Sequence, residues 1–274
     1  MSHVVVDSSC DLPQDLVDRF GITVVPMSIR IDGDDYREGV DITTHEFYAR
    51  MARSAELPTT SQPSPAAFAE TFAAHANEGP VLCLTVSSKL SGTYQSACLG
   101  GELSGADVTV FDSLTASAGL GLQVLKACEL FDAGRAVADV VAKLTAYRDK
   151  MKTLVLLSTL ENIVKGGRLS RFQGSLGKIL DIRVLLHDVQ GEVDLLEKVH
   201  GRRRLLERTL ERVRALRPDL SDRVVGLTHF NNPTDVETLK QALTEQCHPR
   251  AFVVNEMGSA IATYAGEGGV IVSF

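Results

Sequence analysis

The chain has 274 residues, with 28 basic and 35 acidic side chains and a formal net charge of −7. This excess of acid argues against nucleic acid or an anionic membrane surface as the main partner. No apolar run is long enough for a membrane span, and no basic segment followed by a long apolar stretch indicates a signal peptide. The five cysteines have no metal-binding spacing, so we expect free thiols in a reducing, cytoplasmic compartment.

In the first half of the chain, short apolar runs alternate with helical patterns. The strands are expected at residues 4–6, 22–31, 81–87 and 108–113, and the helices at 13–20, 43–54, 65–76, from 92 onward and after 113. Pro26 would place the second strand at an edge or a bulge. Residues 32–35 are typical of a turn and residues 58–65 of a loop. The alternation predicts right-handed crossovers and a mostly parallel sheet.

The second half has a different pattern, and a polar stretch at Tyr147–Met151 marks the predicted boundary between domains 1–149 and 150–274. Six strands are expected at 154–159, 183–189, 192–199, 223–230, 251–257 and 270–274, and helices at 160–168, 203–214 and 233–245. Gln190-Gly191 is typical of a hairpin turn. The fold class is therefore α/β, with a mixed six-stranded sheet carrying helices on one face in the second domain.

Hydroxyl side chains follow several of the predicted strands. They occur at Ser8-Ser9, across residues 87–93, at Ser113 with Thr115, and in the loop at 59–61. Ligands of open parallel sheets bind outside the carboxyl ends of the strands, and helix starts favour anions. Converging hydroxyls could therefore hold a carboxylate or phosphate without a buried cation. The alternative is that each hydroxyl serves only as a helix cap or turn residue.

Catalytic and metal motifs are weak. Ser91 lacks a GxSxG elbow, and the seven histidines are scattered, with His200 and His229 following strands. No HxH, HExxH or calcium-loop pattern occurs, so no metal is expected. Arg168 follows Gly166-Gly167, which is typical of a helix C-cap, although its guanidinium could instead face an anion.

Four parts of the sequence resemble the DegV family, which binds fatty acids and whose characterised members serve bacterial fatty acid kinase. The matching segments are DSSCDLP (7–13), ELPTTSQPSP (56–65), SSKLSGTYQSA (87–97), and LEN (160–162) with KGGR (165–168). They occur in the family's order along the whole chain. The TSQPS and SGTYQSA segments are the most specific.

The resemblance implies a parallel α/β/α domain and a mixed-sheet domain, with a long acyl chain in a tunnel between them. It implies that Thr60 and Ser91 hold the carboxylate, supported by Ser61, Gly92 and Thr93. The ligand is then a long-chain fatty acid, and no cofactor or metal is expected. A partner kinase would supply ATP and phosphorylate the carboxylate, so the chain itself would not be the catalyst. We expect a monomer, because the sequence has no long exposed apolar face.

A second polar network is implied near the headgroup, comprising Ser9, Ser113, Arg168, His200 and Tyr264. The chain departs from the family pattern here: His200 replaces a usual arginine, and Tyr264 replaces a usual histidine. Arg183-Val184 replaces a common Lys-Pro, and Glu267 a usual proline. The two alternatives left open are a serine hydrolase acting on acyl esters and an acyl-sensing regulatory module with a partner other than a kinase.

Overall fold

The computed structural model describes residues 2–169 and 182–274. The strands are β1 (His3–Asp7), β2 (Thr23–Val25), β3 (Ser28–Ile31), β4 (Asp34–Arg37), β5 (Thr59–Ser61), β6 (Val81–Thr85), β7 (Val108–Asp112), β8 (Thr153–Leu157), β9 (Ile182–Val189), β10 (Glu192–His200), β11 (Val224–His229), β12 (Ala251–Glu256) and β13 (Val270–Ser273). The helices are α1 (Gln14–Phe20), α2 (Thr44–Met51), α3 (Pro65–His75), α4 (Thr93–Ser104), α5 (Ala118–Asp132), α6 (Val137–Lys150), α7 (Glu161–Lys165), α8 (Arg202–Leu216), α9 (Pro233–Cys247) and α10 (Ser259–Ala265).

The first sheet has four parallel strands in the order β2-β1-β6-β7. Its central strands are buried on both faces, which explains the apolar runs VVV in β1 and VLCL in β6. Val5 and Cys83 pack with α3 residues Phe68 and Phe72 on one face, whereas Leu82 belongs to the opposite core together with residues of α5. The predicted parallel α/β/α arrangement is confirmed.

The second sheet has six strands in the order β10-β9-β8-β13-β11-β12. Only β11 and β12 run parallel, so the predicted mixed sheet is also confirmed. Alternate residues divide the strands between two cores: Leu154 and Leu156 pack with α8 and α9, and Val155 and Leu157 face the first sheet. Contacts of α5 with β11 and β13 join the two sheets across this inner face.

The predicted hairpin is present between β9 and β10, and Gln190 and Gly191 both have positive φ angles, of 51° and 89°. Positive φ at both turn residues is the geometry of the tight turn that matches strand twist. The chain passes from α6 to β8 at Lys150–Thr153. The division into domains 1–149 and 150–274 stays a prediction.

A small third sheet, in the order β4-β3-β5, was not predicted. It lies in three segments where the local predictions were wrong. The strand expected at 22–31 is split at Pro26, which has no N–H for a ladder, so β2 and β3 join different sheets. Asp34 and Asp35 lie in β4, and the turn is confined to Asp32-Gly33. The loop expected at 58–65 contains β5, in which Thr60 pairs with Ile29.

The described part of the second half also contains α10, a short helix that the sequence pattern did not reveal. Among the helices of residues 2–169 and 182–274, none is both long and apolar enough to cross a membrane.

Candidate functional site

A cavity lies between the two large sheets, where the inner face of the second sheet meets the carboxyl ends of the first. It contains about 920 Å³ of space between atoms, including its open mouth. The wall is mainly apolar: Val86 and Leu114 come from the first sheet's loops, Val155 and Ile271 from the second sheet, and Ile261 from α10. An apolar cavity with few polar groups is typical of a small-molecule site.

Three polar side chains meet in the wall of this cavity. Thr60 Oγ1 and Tyr264 Oη share a hydrogen bond of 2.6 Å that joins β5 to α10. The Arg168 guanidinium lies over the Tyr264 ring, with its central carbon 4.8 Å from the ring centroid. This is the distance of a cation–π contact. The phenol is thus fixed at its hydroxyl and on its face.

Arg168 lies where the end of α7 meets the cavity. Its Nη1 donates to the Gly166 carbonyl at 2.5 Å, which caps the end of α7, and its side chain also lines the cavity. Its Nε donates to the Leu90 carbonyl at 3.3 Å, next to Ser91. The wall that contains the predicted hydroxyls of Thr60 and Ser91 therefore also contains a cation.

Ser91 completes this polar region from the loop after β6. Its Oγ lies 2.8 Å from Thr93 Oγ1 and accepts a hydrogen bond from the Thr93 N–H at 3.3 Å. Thr93 is fully buried at the start of α4, so it orients Ser91 without lining the cavity itself. Gly92 is exposed, and a Cβ there would lie 2.2 Å from Gln62 Oε1.

The structure brings five of the ten predicted residues to the cavity wall and leaves the other five outside its described lining. The first group is Ser9, Thr60, Ser91, Arg168 and Tyr264, and the second is Ser61, Gly92, Thr93, Ser113 and His200.

The residues outside the lining have identifiable positions. Ser61 follows Thr60 in β5 and is exposed, as strand alternation requires. Ser113 is buried and donates to the Thr115 carbonyl at 3.1 Å. His200 is exposed at the end of β10, where it pairs with Ile182, so it does not form the expected network with Tyr264.

The sequence analysis did not predict that the β9–β10 hairpin contributes two acidic residues, Asp188 and Glu192, to the cavity wall. Asp188 Oδ1 accepts from the Thr153 N–H at 2.6 Å, and burial raises the pKa of this carboxyl. Glu192, at the start of β10, lines the same cavity. A carboxylate beside a turn usually faces solvent, so the sequence held no signal for either position.

Sequence reasoning also missed three buried acids, Asp7, Asp11 and Glu38, beneath the Ser8-Ser9 turn. Asp7 Oδ2 accepts from the Val86 N–H at 2.7 Å, and Asp11 Oδ1 from the Gly258 N–H at 2.7 Å. Burial raises the pKa of all three carboxyls, that of Glu38 to about 7.

Glu38 ties α10 to the first sheet. One of its oxygens accepts from Ser8 Oγ at 2.5 Å and the other from the Ala260 N–H at 2.8 Å. Because α10 carries Tyr264, these buried acids help to fix the position of the polar wall.

The fold and the cavity define an α/β protein with an internal apolar cavity that has a compact polar region. The family model described as DegV family matches residues 1–274, and the chain therefore belongs to the DegV family.

Relatives and solved structures agree with this assignment. A Thermotoga maritima protein named fatty acid-binding protein is 34% identical, over 97% of this chain and 95% of its own length. A Thermus thermophilus structure, titled for fatty acid binding of a DegV family protein, has 34% identity and a TM-score of 0.92, covering 100% of this chain and 99% of that one. A Ruminococcus gnavus DegV family structure with vaccenic acid has 25% identity and a TM-score of 0.93, with the same coverage.

Proposed function

We propose that this chain binds a long-chain fatty acid, with the acyl chain in the apolar cavity and the carboxylate beside Thr60, Ser91, Arg168 and Tyr264. The observation that carries the proposal is a mainly apolar cavity whose wall also contains the linked side chains of Thr60, Tyr264 and Arg168. The fatty acid binding described for the Thermus relative and the vaccenic acid in the Ruminococcus structure support the same ligand class.

The energetics fit such a ligand. Each buried methylene contributes about 0.8 kcal/mol, so a chain of ~14 methylenes gives a gross driving force of about 10 kcal/mol before ordering costs. A buried carboxylate is unfavourable unless it accepts hydrogen bonds. Thr60 and Ser91 supply hydroxyl donors, and Arg168 adds charge-assisted donors that strengthen such contacts.

Binding can be measured with delipidated protein, a fluorescent fatty acid and native mass spectrometry. We expect Ser91→Ala and Thr60→Val each to weaken binding about tenfold or more, since a hydrogen bond to a charged group contributes about 1.5–3 kcal/mol. Ser88→Ala and Thr59→Val are the matched controls, because both side chains are exposed neighbours outside the cavity lining. Failure of the delipidated protein to take up any acyl ligand would contradict the proposal.

We further propose that the bound carboxylate is presented to a fatty acid kinase, which transfers phosphate from ATP to form an acyl phosphate. Half-buried Thr60 and Ser91 are each followed by an exposed residue, Ser61 and Gly92, so the polar region lies close to the surface. Incubation of the loaded protein with a kinase from the same organism and ATP should yield acyl phosphate. Acyl binding without any acyl phosphate would favour the regulatory module with another partner.

The hydrolase alternative has little structural support. Among the described residues, the hydrogen-bond partner of Ser91 Oγ is a threonine hydroxyl rather than the imidazole that would serve as a general base. A nitrophenyl ester assay distinguishes the two functions: hydrolysis that disappears in Ser91→Ala would establish an esterase.

A further inference from the structure

A second polar cluster lies at the opposite edge of the parallel sheet. His3 begins β1 and Thr23 begins β2, while His75 ends α3 and Glu78 follows it by one turn. These are the amino ends of the strands, whereas the acyl cavity lies at their carboxyl ends, where Ser9, Val86 and Leu114 line it. The cluster is therefore separate from the proposed fatty acid site.

The imidazole rings of His3 and His75 are stacked in the same orientation, so that equivalent nitrogen atoms of the two rings face the same neighbouring side chain. The rings stack with centroids 3.6 Å apart and an interplanar angle of 13°. Both Nδ1 atoms face Glu78 Oε2, at 3.8 Å for His3 and 3.0 Å for His75. Both Nε2 atoms face Thr23 Oγ1, at 2.8 Å for His3 and 3.1 Å for His75.

We propose that His3, His75 and Glu78 form a binding site for a divalent transition-metal ion of the zinc class. One ligand atom from each of the three lies within 4.8 Å of the other two. Two imidazole nitrogens and one carboxylate oxygen are a ligand set that zinc uses when a fourth position is left to water. Such nitrogen and oxygen donors also bind cobalt, nickel and copper.

Thr23 is the group that selects the ligating nitrogens. Metal-binding imidazoles usually donate their other N–H to an oxygen, which fixes the tautomer and the ring orientation. Here one hydroxyl oxygen lies within hydrogen-bonding distance of both Nε2 atoms, so with an ion bound it can accept both N–H bonds while both Nδ1 atoms ligate the ion. An ion about 2.0–2.1 Å from each nitrogen requires the rings to open from their stack.

Occupation of the site changes its protonation. Without a bound ion, His75 Nδ1–H donates to Glu78 Oε2 at 3.0 Å. The ion takes the Nδ1 lone pair, so one proton moves to Nε2 or leaves to the buffer. The His3 and His75 side chains are 17% and 19% exposed and that of Glu78 is 58% exposed, which lets an ion enter from solvent. The sequence showed no metal motif because the ligands belong to two separate parts of the chain, His3 near its start and the pair His75 and Glu78.

The test uses the full chain without a histidine tag, treated with a chelator and desalted. Titration with zinc chloride at pH 7.5 should show one ion per chain. Cobalt(II) should give the visible absorption of a four-coordinate ion without thiolate charge-transfer bands. His75→Ala and Glu78→Gln should each weaken binding at least tenfold, and Thr23→Val should weaken it about 10–100-fold.

His45→Ala is the matched control, because His45 also pairs with a glutamate, Glu256 at 3.5 Å, but has an 81% exposed side chain and, among the described residues, is not part of a cluster of three potential metal ligands. It should bind zinc as the unchanged chain does. Glu78→Gln keeps the test valid if His75→Ala fails to fold, because Glu78 is mostly exposed. Absence of zinc and cobalt binding, or equal binding by Glu78→Gln and the unchanged chain, would overturn the proposal. Acyl binding should be the same in Glu78→Gln, which keeps this test independent of the proposed function.

Discussion

At the scale of single residues, the polar wall of the cavity depends on a glycine, Gly166, whose lack of a side chain leaves room for the ring of Tyr264. Gly166 ends α7 beneath the ring of Tyr264, and a Cβ at this position would lie 2.4 Å from two ring carbons. The ring cannot move freely, because Thr60 holds its hydroxyl and Arg168 covers its face. The glycine backbone is in the ordinary right-handed helical region, so alanine would be excluded only by this contact.

Gly166→Ala should therefore displace Tyr264 and weaken fatty acid binding about three- to tenfold, the loss expected for one hydrogen bond. Binding of a fluorescent fatty acid measures the effect. The control is the same substitution in a Tyr264→Ala background, in which the clash is absent and Gly166→Ala should have no further effect. An equal loss in both backgrounds would show that the contact with Tyr264 is not the cause.

At the scale of elements, α5 is the helix that contacts both large sheets. Its close approach to the chain after β1 depends on Gly121, where a Cβ would lie 2.7 Å from the Cys10 carbonyl oxygen and 3.0 Å from Leu12. Alanine normally stabilises a helix interior by about 1 kcal/mol relative to glycine. Here the obstacle is a backbone atom, which cannot rotate away as a side chain can.

We expect Gly121→Ala to lower the free energy of unfolding by about 1–3 kcal/mol, the usual cost of overpacking a core. Gly101→Ala in α4 is the matched control, because its Cβ would lie 3.5 Å from Val108, an ordinary contact, and it should stabilise the protein. Urea denaturation of both variants gives the comparison. A stabilised Gly121→Ala variant would mean that α5 can shift away from the first sheet.

The elements that sequence patterns predicted are those with strong local signals. Buried strands such as VLCLT are apolar except at one end, and Gln190-Gly191 accepts the positive φ angles of a tight turn. By contrast, β5 has three polar residues and becomes a strand only by pairing with β3, a tertiary event. The short helix α10 lacked a clear local signal too, although it carries Tyr264.

In the candidate site too, residues with a local sequence signal were predicted and contacts between distant residues were not. Hydroxyls after predicted strands, together with the family resemblance, pointed to Thr60 and Ser91, and both line the cavity. The hydrogen bond between Thr60 and Tyr264 joins residues 204 positions apart. Such a contact depends on how α10 packs against β5, which one sequence does not specify. The same applies to the stacked pair of His3 and His75.

At the scale of the whole molecule, buried acids tie the beginning of the chain to its end. Asp11 accepts from the Gly258 N–H, and Glu38 accepts from the Ala260 N–H and from Ser8 Oγ. Burial raises the pKa of Glu38 to about 7, from an ordinary value of about 4.5. The folded protein therefore retains a proton on Glu38 over a pH range in which the unfolded chain has already lost it.

The difference between the Glu38 pKa values of the folded and unfolded states determines whether stability rises or falls with pH. Between about pH 4.5 and 7 the folded state binds one more proton at Glu38 than the unfolded state, so stability decreases as the pH rises through this range. The contribution is about 3 kcal/mol, is complete below pH 4.5 and is lost above pH 7. Asp7 and Asp11, whose pKa values are raised by burial as well, act in the same direction.

Glu38→Gln isolates this contribution, because the amide keeps an acceptor for the Ala260 N–H and can donate to Ser8 Oγ without titrating. Urea denaturation at pH 5, 6, 7 and 8 should show the unchanged chain losing more stability than the variant, with most of the excess loss below pH 7. Parallel curves for the two proteins would show that Glu38 does not retain its proton in the folded state. The buried carboxylates would then be accommodated as anions by the N–H and hydroxyl donors around them.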